Sequence, residues 1–253
     1  MGVQHNDTAM SYHNIAMVYY SQHEYEKSLE WIYKALKIFE CVWGTEHPNT
    51  ATTYSHIGSI YQEQDCYEKA LEWYCKSLKI REKTFGIQHP SVAETYHNIA
   101  SIYHLKDDYE KAFEWYYKAI VVREKILGVQ HLSTANTYHN LARAYQDTGN
   151  YSKASELYYK ALEIQERTLG KKHPAMENIY DNIANLYYSQ QDYIKARDYF
   201  CRAAVISIIN HSSDNPYTNP TVGSAFTCFF KVGGKEEQFE NWLKKRIKTY
   251  PCW

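Results

Sequence analysis

"HPSVAETYHNIASIYHLKDDYEKAFEWYYKAIVVREKILG", residues 89–128, holds two apolar stripes joined by a short polar turn. In the first, Val92, Tyr96, Ile99, Ala100 and Tyr103 recur at i, i+4, i+7, i+8 and i+11. That spacing lines one face of an α-helix, here called helix A. Pro90 suits the first helical position, where no N–H is needed, and His89 stands at the cap. "LKDD" forms the turn. The second stripe, Tyr109, Ala112, Phe113, Tyr116, Ala119, Ile120 and Leu127, defines helix B. Gly128 supplies the left-handed residue that commonly ends a helix. Two amphipathic helices on a tight turn cannot bury both stripes by themselves. Stacked on copies of themselves, they can.

The copies are present. His5, His47, His89, His131 and His173 are each 42 residues apart. Gly2, Gly44, Gly86, Gly128 and Gly170 keep the same step, as do Tyr12, Tyr54, Tyr96, Tyr138 and Tyr180. A fourth series reads YEKS at Tyr25, YEKA at Tyr67 and Tyr109, YSKA at Tyr151 and YIKA at Tyr193. On helix B, Ser28, Ala70, Ala112, Ala154 and Ala196 share one small slot. Ala35, Ser77, Ala119, Ala161 and Ala203 share another. Small side chains let helix axes approach, and Tyr74, Tyr116, Tyr158 and Phe200 fill the adjoining space. The 26 tyrosines are thereby mostly a repeated packing choice, not a catalytic one.

The order Tyr96, Ile99-Ala100, Tyr103, Ala112, Tyr116, Ala119 resembles the tetratricopeptide repeat, whose ordinary length is about 34 residues. The 42-residue form, with a longer helix B and the G-x-x-H-P joint, is similar to the repeats of kinesin light chain and its bacterial relatives. The resemblance covers roughly residues 5–209. It implies an all-α, right-handed superhelical solenoid of helix-turn-helix repeats. Residues 1–211 would form five repeats, and residues 212–253 a loop plus a degenerate sixth helix pair acting as C-terminal cap. In that pair Asn215-Pro216 repeats His173-Pro174. Phe226, Phe229 and Phe230 give a helix A face, Gly233-Gly234 breaks it, and Phe239, Trp242, Leu243 and Ile247 give a helix B. Lys244, Lys245 and Arg246 suit a polar outer face and the negative end of a helix dipole.

"MGVQH" at residues 1–5 matches "LGVQH" at 127–131, so the first five residues read as a repeat joint. The expectation is a piece of a longer array, or an N-terminal repeat edge covered by a partner or by self-association of two copies.

Composition narrows the function classes. The formal net charge is −1 and no long run of one sign occurs, which leaves no footprint for nucleic acid or an anionic membrane surface. No stretch approaches the roughly 18 apolar residues of a spanning helix. Six cysteines without a Cys-x-x-Cys pair read as thiols of a reducing, cytoplasmic compartment. No phosphate loop, His-Glu-x-x-His or Gly-x-Ser-x-Gly occurs, so no enzyme activity, cofactor or metal site is expected. The joint histidines share one repeat phase and stand on the order of 10 Å apart. Zinc needs ligands converging at about 2 Å, so capping is their expected role.

The resemblance also implies that helix A lines a concave groove. After the Tyr slot come His13-Asn14, Ser55-His56, His97-Asn98, His139-Asn140 and Asp181-Asn182, then Met17, Ser59, Ser101, Arg143 and Asn185, then Tyr20, Gln62, His104, Gln146 and Tyr188. This face is amide- and imidazole-bearing where a plain exposed helix would be rich in Lys and Glu. Such groups donate to and accept from an extended peptide backbone without requiring charge. In relatives a groove Asn holds the ligand backbone, which maps onto Asn14, Asn98, Asn140 and Asn182, while His56 departs from it. The Lys of carboxylate-clamp members is absent. The other reading makes these Asn residues ties between helices.

The candidate partner-binding residues are His13, Asn14, Tyr20, His56, His97, Asn98, His104, His139, Asn140, Arg143, Gln146, Asn182 and Asn185. The expected function is a non-catalytic scaffold for an extended peptide or protein segment in the groove. The alternative is a peptide-sensing regulatory module controlling an effector domain or partner. If His97, His104 and His139 lie close together, they would also charge the groove between about pH 5.5 and 7.5.

Overall fold

The computed structural model describes residues 6–211 and 220–249. Gly2, His5 and the Asn215-Pro216 pair lie outside them, as do the side chains of Arg246 and Ile247. The described residues form twelve α-helices in consecutive helix-turn-helix pairs, the all-α repeat architecture expected. The pairs are α1 (Asn6–Ser21) with α2 (Tyr25–Trp43), α3 (Pro48–Glu63) with α4 (Tyr67–Phe85), and α5 (Pro90–Leu105) with α6 (Tyr109–Ile126). Then come α7 (Leu132–Asp147) with α8 (Tyr151–Leu169), α9 (Met176–Ser189) with α10 (Tyr193–His211), and α11 (Pro220–Lys231) with α12 (Glu236–Thr249). Odd-numbered helices are helix A and even-numbered ones helix B. The contacts divide the chain into two compact units, Met1–Gly128 and Val129–Trp253.

The joints form as local chemistry dictates. His47, His89 and His131 adopt extended backbone at the cap, and each Nδ1 accepts from the N–H two residues on, at 3.2, 3.2 and 3.1 Å. His173 does the same for the Ala175 N–H at 3.2 Å. One orphan donor of each helix start is thus satisfied. Rings support the caps: Phe85 stacks on His89 at 4.3 Å and Trp43 on His47 at 5.0 Å. The glycine ending helix B departs from the expected left-handed helical form. Gly86 has φ +77° and ψ 164°, extended at positive φ, a region essentially confined to glycine.

Within a repeat, the A–B turn needs one residue at positive φ. His23, Asp65, Asp107 and Gln191 supply it at φ 56–63°, and Gly149 holds the corresponding position. Asp65 and Asp107 accept from the hydroxyls of Tyr67 and Tyr109 two residues on, at 2.7 and 2.8 Å. The lysine of the YEK phrase then lies over a helix A tyrosine, with Lys69, Lys111 and Lys153 about 5 Å from the rings of Tyr61, Tyr103 and Tyr145.

The small slots on helix B are fully buried in every described repeat. Two of them hold serine. Ser28 Oγ donates to the Ala16 carbonyl at 2.8 Å and Ser77 Oγ to the Ala51 carbonyl at 2.7 Å, so neither hydroxyl is stranded. In the Met1–Gly128 unit, Ile32, Tyr74 and Tyr116 fill the space between helices. In the Val129–Trp253 unit, Tyr158 and Phe200 do so, and α11 and α12 pack on α10 through Val222, Ala225, Phe229, Phe239 and Leu243. Phe230, expected on the same apolar face as Phe229, is exposed.

Candidate functional site

Each helix A is set in rotation by its tyrosine slot. Tyr54, Tyr96 and Tyr180 are buried, and their hydroxyls donate to Glu40, Glu82 and Glu166 of the preceding helix B at 2.6, 2.6 and 2.8 Å. Burial first, then the accepting carboxylate, pushes these phenols up from their ordinary pKa. With the tyrosine fixed inward, the next residue turns by about 100° onto another face. There the candidate residues stand.

They divide by what they touch. His56 Nδ1 lies 2.8 Å from His13 Nε2, joining α3 to α1. Asn182 Nδ2 lies 2.6 Å from His139 Nε2, joining α9 to α7 at the corresponding phase. These four side chains are ties between successive A helices; of the groove Asn residues only Asn182 takes part in them, and its partner is a histidine. Asn185 Nδ2 donates to the Asp181 carboxylate at 2.9 Å. Gln146 Oε1 accepts from the buried Tyr158 hydroxyl at 3.0 Å. Tyr20 is half-buried beside Tyr25, and burial with the nearby Glu63 raises it to about 12. The ring of His104 lies 5.9 Å from Tyr109. Asn14 is exposed; Asn98 and Asn140 are half-buried. The Asn98 side chain makes no hydrogen bond among the described residues. Arg143 is exposed and forms no ion pair there.

His56, His97 and His139 are not poised to charge near neutrality. Burial, and then the positive charge of Arg123, pushes His97 down to about 3. Burial also lowers His56 and His139 to about 4, with His13 and Arg81 adding to the first and Arg143 to the second. A charge change at His97 or His139 between pH 5.5 and 7.5 is thereby removed. The rings stay neutral as hydrogen-bonding groups.

In the Val129–Trp253 unit, three A helices enclose a pocket of about 500 Å³. Its walls are His139, Asn140 and Arg143 of α7, Glu177, Asn178, Asp181 and Asn182 of α9, and Thr221 of α11. Four of these are sequence candidates. Glu177, Asn178, Asp181 and Thr221 lie outside that set. Asp181 follows Tyr180 as His97 follows Tyr96, so its phase was a usable signal. Burial, and then the neighbouring charge of Glu177, raises the Asp181 carboxyl.

Helix B contributes a further row that the sequence reading did not single out. Arg81, Arg123 and Gln165 share one phase and are all buried. Arg81 Nη1 donates to the Ser91 carbonyl, Thr95 Oγ1 and Glu94 Oε2 at 2.9, 2.8 and 3.2 Å, fastening α4 to α5. Gln165 Nε2 donates to Asn136 Oδ1 at 3.2 Å.

Among the described residues no three His, Cys, Asp or Glu side chains converge as metal ligands, and no helix is long and apolar enough to cross a membrane. The five described cysteines are free thiols.

The tetratricopeptide repeat family matches the chain in four overlapping segments, residues 7–83, 49–125, 91–167 and 133–204. No curated protein matches it in sequence. Among solved structures, the nearly identical TPR-like repeats described as a kinesin light chain of Podosopora anserina are 24% identical over 83% of this chain and 99% of that one, with a TM-score of 0.65. BtubC (BKLC) of P. vanneervenii is 18% identical over 100% and 94%, with a TM-score of 0.65. Aspartyl phosphate phosphatase F of Bacillus subtilis is 15% identical over 94% of this chain and 59% of that one, with a TM-score of 0.71. At these identities the likeness shows the fold alone.

Proposed function

The chain belongs to the tetratricopeptide repeat family, and from that premise we propose that it is a non-catalytic scaffold whose helix A face takes up an extended segment of a partner protein. Repeats of this family generally serve protein–protein interaction. The observation that carries the finer reading is the polar pocket of about 500 Å³ lined by three successive A helices. Its amides and imidazole offer donors and acceptors in a row, the requirement for holding a peptide main chain. The scattered free thiols fit a cytoplasmic setting. We assign to α11 and α12 the role of closing the C-terminal end. Self-association through α1 is a second proposed contact, supported by the exposure of Met10 and Val18 on that helix.

The test is the double substitution Asn98→Ala with Asn140→Ala. Neither removes one of the two inter-helix ties described above, and folding of the double variant is established first by circular dichroism and urea midpoint. Affinity for peptides selected on the intact chain should fall about tenfold or more, as expected when hydrogen bonds to a bound main chain are lost. Full affinity in the folded double variant contradicts the groove reading. A regulatory module would in addition change conformation on binding. Solution scattering with and without the selected peptide separates the two, and an unchanged profile favours the scaffold.

A further inference from the structure

The pocket between α7, α9 and α11 carries charge as well as amides. Asp181 is half-buried on the α9 wall, and Glu177 lies one helical turn before it on the same wall. Among the described residues, the hydrogen bond to the Asp181 carboxylate comes from the neutral amide of Asn185, at 2.9 Å. No cation stands within ion-pair distance of it among the described residues. Arg143 is on the α7 wall and forms no ion pair with Asp181 among the described residues. The tie from Asn182 Nδ2 to His139 Nε2, at 2.6 Å, holds the two walls at fixed separation. A carboxylate partly withdrawn from water beside a second acid is costly without an opposite charge, and an incoming cation relieves that cost.

Resting on the groove reading above, we propose that the segment taken up in this pocket carries an arginine or lysine whose cation pairs with Asp181. The volume accommodates a long side chain together with a short stretch of extended main chain. Asn140 and Asn178, on opposite walls, can hold that main chain on either side. Arg143 then faces the following residues of the segment and favours an acceptor or an acid there. Asp181 thus fixes which partners bind, while the amides hold any extended chain. Glu177 adds to the negative potential that draws the cation in. An apolar or purely acidic segment would leave the Asp181 charge unmet.

The experiment selects peptides from a randomised display library on the intact chain and measures the winners by fluorescence anisotropy. The expected winners share Arg or Lys at one fixed position. Asp181→Asn, which keeps size and the capacity to accept from Asn185, should weaken them about tenfold, and replacing the basic residue by norleucine should weaken binding to the wild type alone. Asp181→Asn is checked for folding by its urea midpoint; the norleucine peptide supplies the same test without altering the protein. Winners lacking a basic position, unchanged affinity in Asp181→Asn, or no enrichment at all would overturn the inference. Non-basic winners that are lost in the Asn98→Ala, Asn140→Ala protein would leave the groove reading standing. Winners of any kind that keep full affinity there would remove the groove reading itself.

Discussion

At the scale of single residues, the repeats serve as internal controls for one another. Gly58 occupies the slot that Ala100, Ala142 and Ala184 hold in later repeats. A Cβ at Gly58 would meet the Tyr74 ring at 2.9 Å. Yet Ala100 and Ala142 stand in the same setting against Tyr116 and Tyr158, all of them buried, so a ring shift of a few tenths of an ångström is available. Gly58→Ala should therefore stabilise the chain by about 0.5–1 kcal/mol through reduced freedom of the unfolded state. The urea midpoint reads this directly, and a drop would show that the Tyr74 ring cannot move. Gly86 is the opposite case. Nothing lies within 4 Å of a Cβ there, but its φ of +77° with extended ψ is strained for any other residue. Gly86→Ala should cost about 1–3 kcal/mol by the same measurement. The capping histidines were readable because His and Gly recur in a fixed phrase. The carboxylates of Glu40, Glu82 and Glu166 recur at the same step too, but nothing in the sequence pattern singles them out. Each meets its tyrosine 14 residues on, across a joint, at a spacing that no single helical period connects.

At the scale of elements, the stripe spacing told helix A from helix B, and the small slots gave their packing. Tyr116 is the clearest test of that packing. Its ring is buried between Ala-lined helices, and its hydroxyl lies 3.2 Å from Ser101 Oγ. Tyr116→Ala should cost about 3–5 kcal/mol, the range for deleting a buried aromatic ring. A change under 1 kcal/mol in denaturant unfolding would contradict the packing account. The A–B turn was legible only as a polar loop. Its single positive-φ residue is glycine in two of the six described pairs, Gly149 and Gly233, and His, Asp or Gln in the others, so composition hides the backbone requirement. The helix A face was legible as to residue type but not as to which of its side chains meet each other. His13 with His56, and His139 with Asn182, turned out to bond across helices, because residues of one phase on successive A helices stand close enough to meet.

At the scale of the whole molecule, stability should depend on pH through the buried histidines. His56, His97 and His139 sit at about 4, 3 and 4, below the 6.5 of an unfolded chain. Between those values the unfolded chain binds protons that the folded one refuses. Stability is therefore fully present above about pH 6.5 and is lost as pH falls towards 4, by up to about 1.4 kcal/mol per unit for each fully protected ring. Urea midpoints at pH 7 and pH 5 check it, and equal midpoints would contradict the burial of these rings. Any pH dependence of partner binding near neutrality should not arise from these three rings. Asp181 was readable on the helix A face from its phase, but Glu177, where earlier repeats have Ala, was not singled out as its neighbour. Only the pocket brings out their common wall.

The central claim is that the helix A face receives the partner. It is tested most directly by recording the side-chain amide resonances of Asn98, Asn140 and Asn178 while a display-selected peptide is titrated into the intact chain. The account predicts that these resonances shift in a saturable way while the helix B indoles of Trp31, Trp73 and Trp115 stay fixed. Saturable shifts confined to the helix B indoles, with the helix A amides unmoved, would contradict it.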